Sequence, residues 1–192
     1  MKVKFIKNKW EDKLTYAFTY RFDTYPTFTQ DKDCIKNKKD TANQYSYQNI
    51  SLFFKEKYKA KNLISTTCSF NKYGAPLIVL AEDLIPQKDG KLRYGNYYEI
   101  VLYENGINVW RLRYNGKEVT YVKLMGNEFK VQANKKYKLS AYIEKEKNRL
   151  HVIVGKHKMQ VYLEDCKDEY YYGIDACEGI NKFYDISIQE MK

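Results

Sequence analysis

Period-two alternation of apolar and polar residues runs through this chain from end to end, and helical periodicity is nearly absent. Leu14, Tyr16, Phe18, Tyr20 and Phe22 alternate with polar or small residues. Ile50, Leu52 and Phe54 mark a second strand, which Lys55, Lys57 and Lys59 carry toward solvent. Strands are also expected at Leu63 to Phe70 and Pro76 to Asp83, joined by the turn Asn71-Lys72-Tyr73-Gly74. Further on they are expected at Lys117 to Leu124, Glu128 to Val131, Tyr137 to Glu144, Leu150 to Val154 and Met159 to Leu163. Tyr171 to Cys177 and Phe183 to Ile188 complete the set. About a dozen short strands punctuated by Gly or Asn can bury their alternate side chains only in a sandwich or a barrel. The expected class is all-β, an antiparallel two-sheet β-sandwich.

The 192 residues suffice for one sizeable core and contain nothing like a linker, so one domain over residues 1–192 is expected. A hydrophobic content of 44% with 16% aromatics excludes general disorder. No apolar run approaches the length of a membrane-spanning helix, and no apolar segment of signal-peptide length follows the basic start. The expectation is a cytoplasmic protein without membrane partners. The one long irregular stretch, residues 27–48, is polar and reads as a surface loop or as a lid beside a binding surface.

The net charge of +10 is uneven: the first 61 residues carry fourteen basic against seven acidic residues. The excess is lysine, since only Arg21, Arg93, Arg111, Arg113 and Arg149 are arginines. Scattered lysines along strands protect sheet edges, whereas nucleic-acid readers use arginine forks and basic helices, so a nucleic-acid partner is not expected. Cys34, Cys68, Cys166 and Cys177 form no CxxC pair, which argues against zinc. They read as small buried hydrophobes, and their even number leaves a disulfide open.

The longest expected element is the hairpin Gly95 to Tyr114, GNYYEIVLYENGINVWRLRY. A three-residue loop Glu104-Asn105-Gly106, with the glycine in the left-handed conformation, sets Tyr103 opposite Ile107 and Glu99 opposite Arg111. Tyr97, Glu99, Val101, Tyr103, Val109, Arg111 and Arg113 then share one face. Tyr98, Ile100, Leu102, Asn108, Trp110 and Leu112 form a nearly apolar core face. The competing register, a two-residue Asn-Gly loop, would set Arg111 and Arg113 beside Ile100 and Leu102 and is disfavoured by the cost of burying two guanidinium groups.

The order of elements in the second half carries a resemblance. The hairpin is followed by KKYKLSAYIEKEKNRLHVIVGKHKMQVYLED and then by YYYGIDACEGINKFYDISI. A strand of the form KYKLSAYIE, a strand, glycine turn, strand unit at Leu150 to Leu163, a Gly-Ile strand and a terminal aromatic-Asp-Ile strand follow one another. Over about residues 95–190 this resembles the concanavalin A-like lectin and glucanase superfamily, including laminin-G-like and galectin-like jelly rolls. The resemblance implies an oligosaccharide or polysaccharide ligand on the concave sheet.

Cleavage of a glycoside would need two carboxylates about 5 Å apart for retention, and alternate residues of one strand supply that spacing. On the hairpin Glu99 is followed by Val101 and Tyr103, so no such pair is found and no catalytic residue is assigned. Asp175 and Glu178 could meet Glu99 only across strands. The expected site is therefore a binding surface of Tyr97, Glu99, Tyr103, Arg111 and Arg113, with aromatics for sugar faces and arginine forks for acidic sugars. Glu99 by itself reads first as an ion-pair partner of Arg111 across the ladder, and next as a polar anchor for a sugar hydroxyl. Asp31-Lys32-Asp33 begins like a calcium loop, but Lys36 stands where its glycine should be. His151 and His157 belong to no metal or catalytic spacing, so neither metal nor cofactor is expected. Two other readings stay open, a glycoside hydrolase-like enzyme of the same superfamily and a protein-interaction module.

Overall fold

The computed structural model describes residues 1–7, 9–38 and 49–191. In chain order the strands are β1 (Lys2–Lys4), β2 (Leu14–Thr19), β3 (Thr29–Gln30), β4 (Ile35–Lys36), β5 (Ile50–Lys59), β6 (Leu63–Phe70), β7 (Pro76–Ala81), β8 (Ile85–Pro86) and β9 (Leu92–Tyr94). They continue with β10 (Tyr97–Tyr103), β11 (Gly106–Tyr114), β12 (Val119–Glu128), β13 (Tyr137–Glu144), β14 (Arg149–Val154), β15 (His157–Tyr162), β16 (Glu169–Ala176) and β17 (Asn181–Gln189). One sheet has the order β15-β14-β13-β6-β17-β4-β3, with β1 also paired to β17. The other has the order β12-β11-β10-β7-β16-β5-β2-β9-β8. Every pairing is antiparallel except β2 with β9. The chain passes from one sheet to the other between β5 and β6, β6 and β7, β12 and β13, and β15, β16 and β17, as a β-sandwich requires.

Alternation explains the burial. In β14 Leu150, Val152 and Val154 are buried while Arg149 is exposed, so one face meets the interior and the other meets water. The sandwich interior holds Leu52, Phe54, Ile78 and Ile100 from the nine-stranded sheet against Ile64, Leu139, Val152 and Phe183 from the other. Strand β7, PLIVLA, does not alternate, and all six of its residues are buried. It lies fourth in the nine-stranded order and is covered on both faces, because a second apolar cluster of Ala17, Phe53, Leu77, Val79, Ala81, Tyr94, Tyr97 and Leu112 occupies the outer face.

Several expectations change in detail. The two strands expected between Lys117 and Val131 are the single strand β12, which forms an edge of the nine-stranded sheet. Within the expected loop at 27–48, Thr29 and Gln30 pair with Lys36 and Ile35, and β4 joins β17. Residues 39–48 of that loop lie outside the described residues. Asp31 accepts from the Lys36 ammonium at 2.8 Å and from the Lys32 N–H at 2.9 Å, so its carboxylate closes this turn. Trp10 packs edge-on against Phe5 and donates its indole N–H to Gln30 of β3 at 2.8 Å. All four cysteines are free thiols; Cys34 and Cys68 are buried, whereas Cys166 and Cys177 are partly exposed.

Candidate ligand-binding site

The β10–β11 hairpin turns one residue earlier than expected. Tyr103 pairs with Gly106, Leu102 with Ile107, Ile100 with Val109, Glu99 with Trp110 and Tyr98 with Arg111, leaving the two-residue loop Glu104-Asn105. A one-residue slip exchanges the faces of everything on β11. Tyr97, Glu99, Val101 and Tyr103 therefore share the outer face with Asn108, Trp110 and Leu112, while Arg111 and Arg113 lie on the side of Tyr98, Ile100 and Leu102. Gly106 fixes this register by close approach: with φ at 134°, a Cβ there would stand 2.0 Å from the Asn127 carbonyl oxygen of β12. The glycine is required by the neighbouring strand.

Half of the outer face is filled. Tyr94 touches Phe53 on β5 and Tyr97 on β10, with ring centroids 5.0 and 4.6 Å away, so it spans the two intervening strands β16 and β7. Its hydroxyl lies 2.5 Å from Ser51 Oγ, and both hydroxyls donate to Asp175 Oδ2. The Tyr97 hydroxyl bonds Thr19 Oγ1 at 3.0 Å. These pairings let two fully buried tyrosines serve as core.

Beyond that roof a cavity of about 340 Å³ remains over β7, β10 and β11. Leu77, Val101 and Leu112 contribute to its floor, Trp110, Tyr103 and Tyr121 bring aromatic rings, and Glu99, Asn108, Arg21 and Glu178 bring polar groups. Trp110 and Tyr121 meet edge to face at 6.2 Å, and the Arg21 guanidinium lies 5.2 Å over the Tyr121 ring. Glu99 is only 7% exposed, faces this cavity and makes no hydrogen bond with any described residue. Asn108 Oδ1 is likewise buried without a hydrogen-bond partner among the described residues. A buried carboxyl group left open toward a cavity is an unusual expense unless a ligand satisfies it.

Burial pushes the Glu99 carboxyl up to about 8; the Asp175 carboxylate adds to this and the Arg21 guanidinium opposes it. Asp175, fully buried, is pushed up to about 7 by desolvation, against the hydrogen bonds from Ser51 and Tyr94 that favour its charged form. Glu99 is thus held protonated near neutral pH. In that state its carboxyl can donate as well as accept, which suits a ligand hydroxyl or amine.

The five expected site residues do not converge. Glu99 and Tyr103 line the cavity, while Tyr97 lies on the same face but is sealed beneath the roof. Arg111 is buried on the opposite face, ion-paired with Glu82 rather than Glu99, 4.0 Å from Asp165, with its guanidinium 4.5 Å over the Tyr98 ring. Burying it is tolerable because Glu82 neutralises it and the aromatic face covers it. Arg113 is exposed and lies 3.8 Å from Glu164. Conversely Trp110, expected in the core, stands opposite Glu99 at the cavity, joined by Asn108 and Arg21. A hairpin register with a two-residue loop was the one sequence signal that could have placed Trp110 and Asn108 there; nothing comparable marks Arg21.

No family model and no curated protein matches the sequence. Solved structures do match. A carbohydrate-binding module, CBM66, from Bacillus subtilis aligns with a TM-score of 0.65 at 12% identity, over 90% of this chain and 99% of its own. A glycoside hydrolase family 16 endo-glucanase from Bacteroides ovatus aligns at 0.63 and 11%, over 98% and 99%. The exoplasmic/lumenal domain of VIP36, in a Ca2+/Man3GlcNAc-bound form, aligns at 0.62 and 13%, over 98% and 88%. The fold is therefore the concanavalin A-like jelly roll that the order of elements implied. That fold serves a carbohydrate-binding module, a Man3GlcNAc-bound domain and a glycoside hydrolase alike. Among the described residues no group of three His, Cys, Asp or Glu is placed to hold a metal ion.

Proposed function

We propose that this protein is a non-catalytic carbohydrate-binding jelly roll that takes its ligand in the outer-face cavity. The observation that carries this reading is Glu99, nine-tenths buried, without a hydrogen bond from any described residue and directed into a cavity walled by Trp110 and Tyr103. An aromatic ring for the C–H face of a sugar and a polar group for its hydroxyls are the two contacts a pyranose needs. Trp110, Tyr103 and Glu99 are the binding residues in this reading, with Asn108 and Arg21 beside them. The fold shared with CBM66 and VIP36 supports it. A glycan array followed by calorimetry with wild type and Trp110→Ala tests it. Binding that the variant loses is expected, and a blank array across neutral, acidic and amino glycans would overturn the proposal.

One observation favours a glycoside hydrolase as the second reading. The Asp175 carboxylate lies close enough to raise the Glu99 carboxyl, giving two acids with displaced protonation. Binding is the better reading because Asp175 is fully buried, holds bonds from Ser51 and Tyr94 and does not line the cavity. Among the carboxyl groups of the described residues, Glu99 and Glu178 line the cavity. Release of reducing ends from β-glucans by wild type, abolished in Glu99→Gln, would reverse the order of the two readings.

A further inference from the structure

We infer that the outer-face cavity selects a sugar bearing a free amine over its neutral, N-acetylated and acidic counterparts. This rests on the carbohydrate-binding reading and deepens it. The cavity presents an open carboxyl group beside aromatic rings. Glu99, nine-tenths buried, lacks a hydrogen bond from any described residue, and Glu178 adds a second carboxyl group at the cavity wall. This occurs in a chain whose net charge is +10, so two carboxyl groups in one cavity run against the average of the molecule. Arg21, the cation among the described residues that line the cavity, has its guanidinium over the ring of Tyr121 and only partly opposes the burial and the Asp175 carboxylate that hold the proton on Glu99.

A ligand hydroxyl can satisfy one such group. An amine does more, because it donates up to three hydrogen bonds and, once protonated, is attracted to the rings of Trp110 and Tyr103 that line the same space. The protonation also balances. Near neutral pH burial keeps a proton on Glu99. When a neutral amine enters, the carboxyl O–H bond breaks and an N–H bond forms, leaving an ammonium and a carboxylate in contact with no proton drawn from solvent. The resulting charge-assisted pair forms in a water-poor site, where hydrogen bonds between ions are strongest. An N-acetyl group has lost the basic nitrogen, and a uronic acid would set a carboxylate against Glu178 without supplying a base for the Glu99 proton as strong as an amine.

The test uses the full chain and monosaccharide probes, which avoids any dependence on linkage. Glucose, glucosamine, N-acetylglucosamine and glucuronate, with their galacto counterparts, are titrated while the Trp110 indole N–H is followed by NMR. Amino sugars are expected to bind about tenfold to a hundredfold more tightly than the neutral and N-acetylated forms. In Glu99→Gln, amino and neutral sugars should fall within about twofold of each other, since the amide can neither ionise nor release a proton. Glu99 has no hydrogen bond with a described residue to lose, so this variant is expected to fold, and its NMR spectrum reports that directly. Equal or tighter binding of neutral sugars or glucuronate overturns the inference while leaving the carbohydrate-binding reading intact. Retention of the amino-sugar preference in Glu99→Gln overturns it as well. Silence of every sugar, together with a blank array, removes both.

Discussion

Replacing Glu99 by Gln should stabilise the protein, and the gain should grow with pH. An unfolded glutamate titrates near its ordinary value of 4.5, whereas burial in the fold pushes Glu99 up to about 8. The folded state therefore holds the proton more tightly. Any stability linked to this group is fully present below pH 4.5 and is lost as pH rises through 8. At 1.36 kcal/mol for each unit of displacement, the loss is about 3 kcal/mol by pH 7 and approaches about 5 kcal/mol above pH 8. A glutamine at this position would keep the shape and make no ion, and no hydrogen bond of Glu99 with a described residue is sacrificed, so the variant should escape this loss. Asp175, displaced upward in its own right, keeps a residual decline in the variant. Urea unfolding of both proteins at about pH 5, 7 and 8.5 measures the difference directly. A wild type whose stability is flat across this range, or a variant that declines in parallel with it, would refute the argument that Glu99 is buried and unpaired.

Arg111→Met should cost about 3 kcal/mol, because it strands the largely but not fully buried Glu82 carboxylate; adding Glu82→Gln should recover most of that in chemical denaturation. Trp110→Ala should weaken sugar binding at least tenfold in calorimetry. Its half-buried side chain limits the stability cost to about 1–2 kcal/mol. Gly106→Ala should lower stability by about 2–3 kcal/mol or more, since its Cβ meets the Asn127 carbonyl and its φ is positive. Gly155→Ala, also at positive φ but facing open space, should cost only about 1 kcal/mol, and a pair of thermal melts separates the two cases.

The strands were legible because each reports its own burial through alternation, and Leu63–Phe70 and Tyr137–Glu144 fall where the pattern sets them. Register is a different kind of information. Gly106 was legible as a glycine needing unusual backbone, but two causes produce that need, a left-handed turn and a close neighbouring strand. Only the position of Asn127 distinguishes them. Local sequence makes Arg111 too costly to place beside Ile100, because its partner Glu82 lies 29 residues away. The site followed the register: with the slip, Trp110 joined Glu99 and the two arginines left. Asp175, named only as a residue that could converge with Glu99, does influence it, through a packing of β16 that no local pattern encodes.

Strand β7 gives the cavity its mechanical character. A strand packed on both faces and paired on both edges has no route to water except by opening the whole sheet, so its amides should be among the slowest to exchange in the molecule. Leu77 carries that stiffness directly into the cavity floor. Floor and anchor are set before any ligand arrives, and the conformational entropy that binding still has to remove resides in the side chains at the rim.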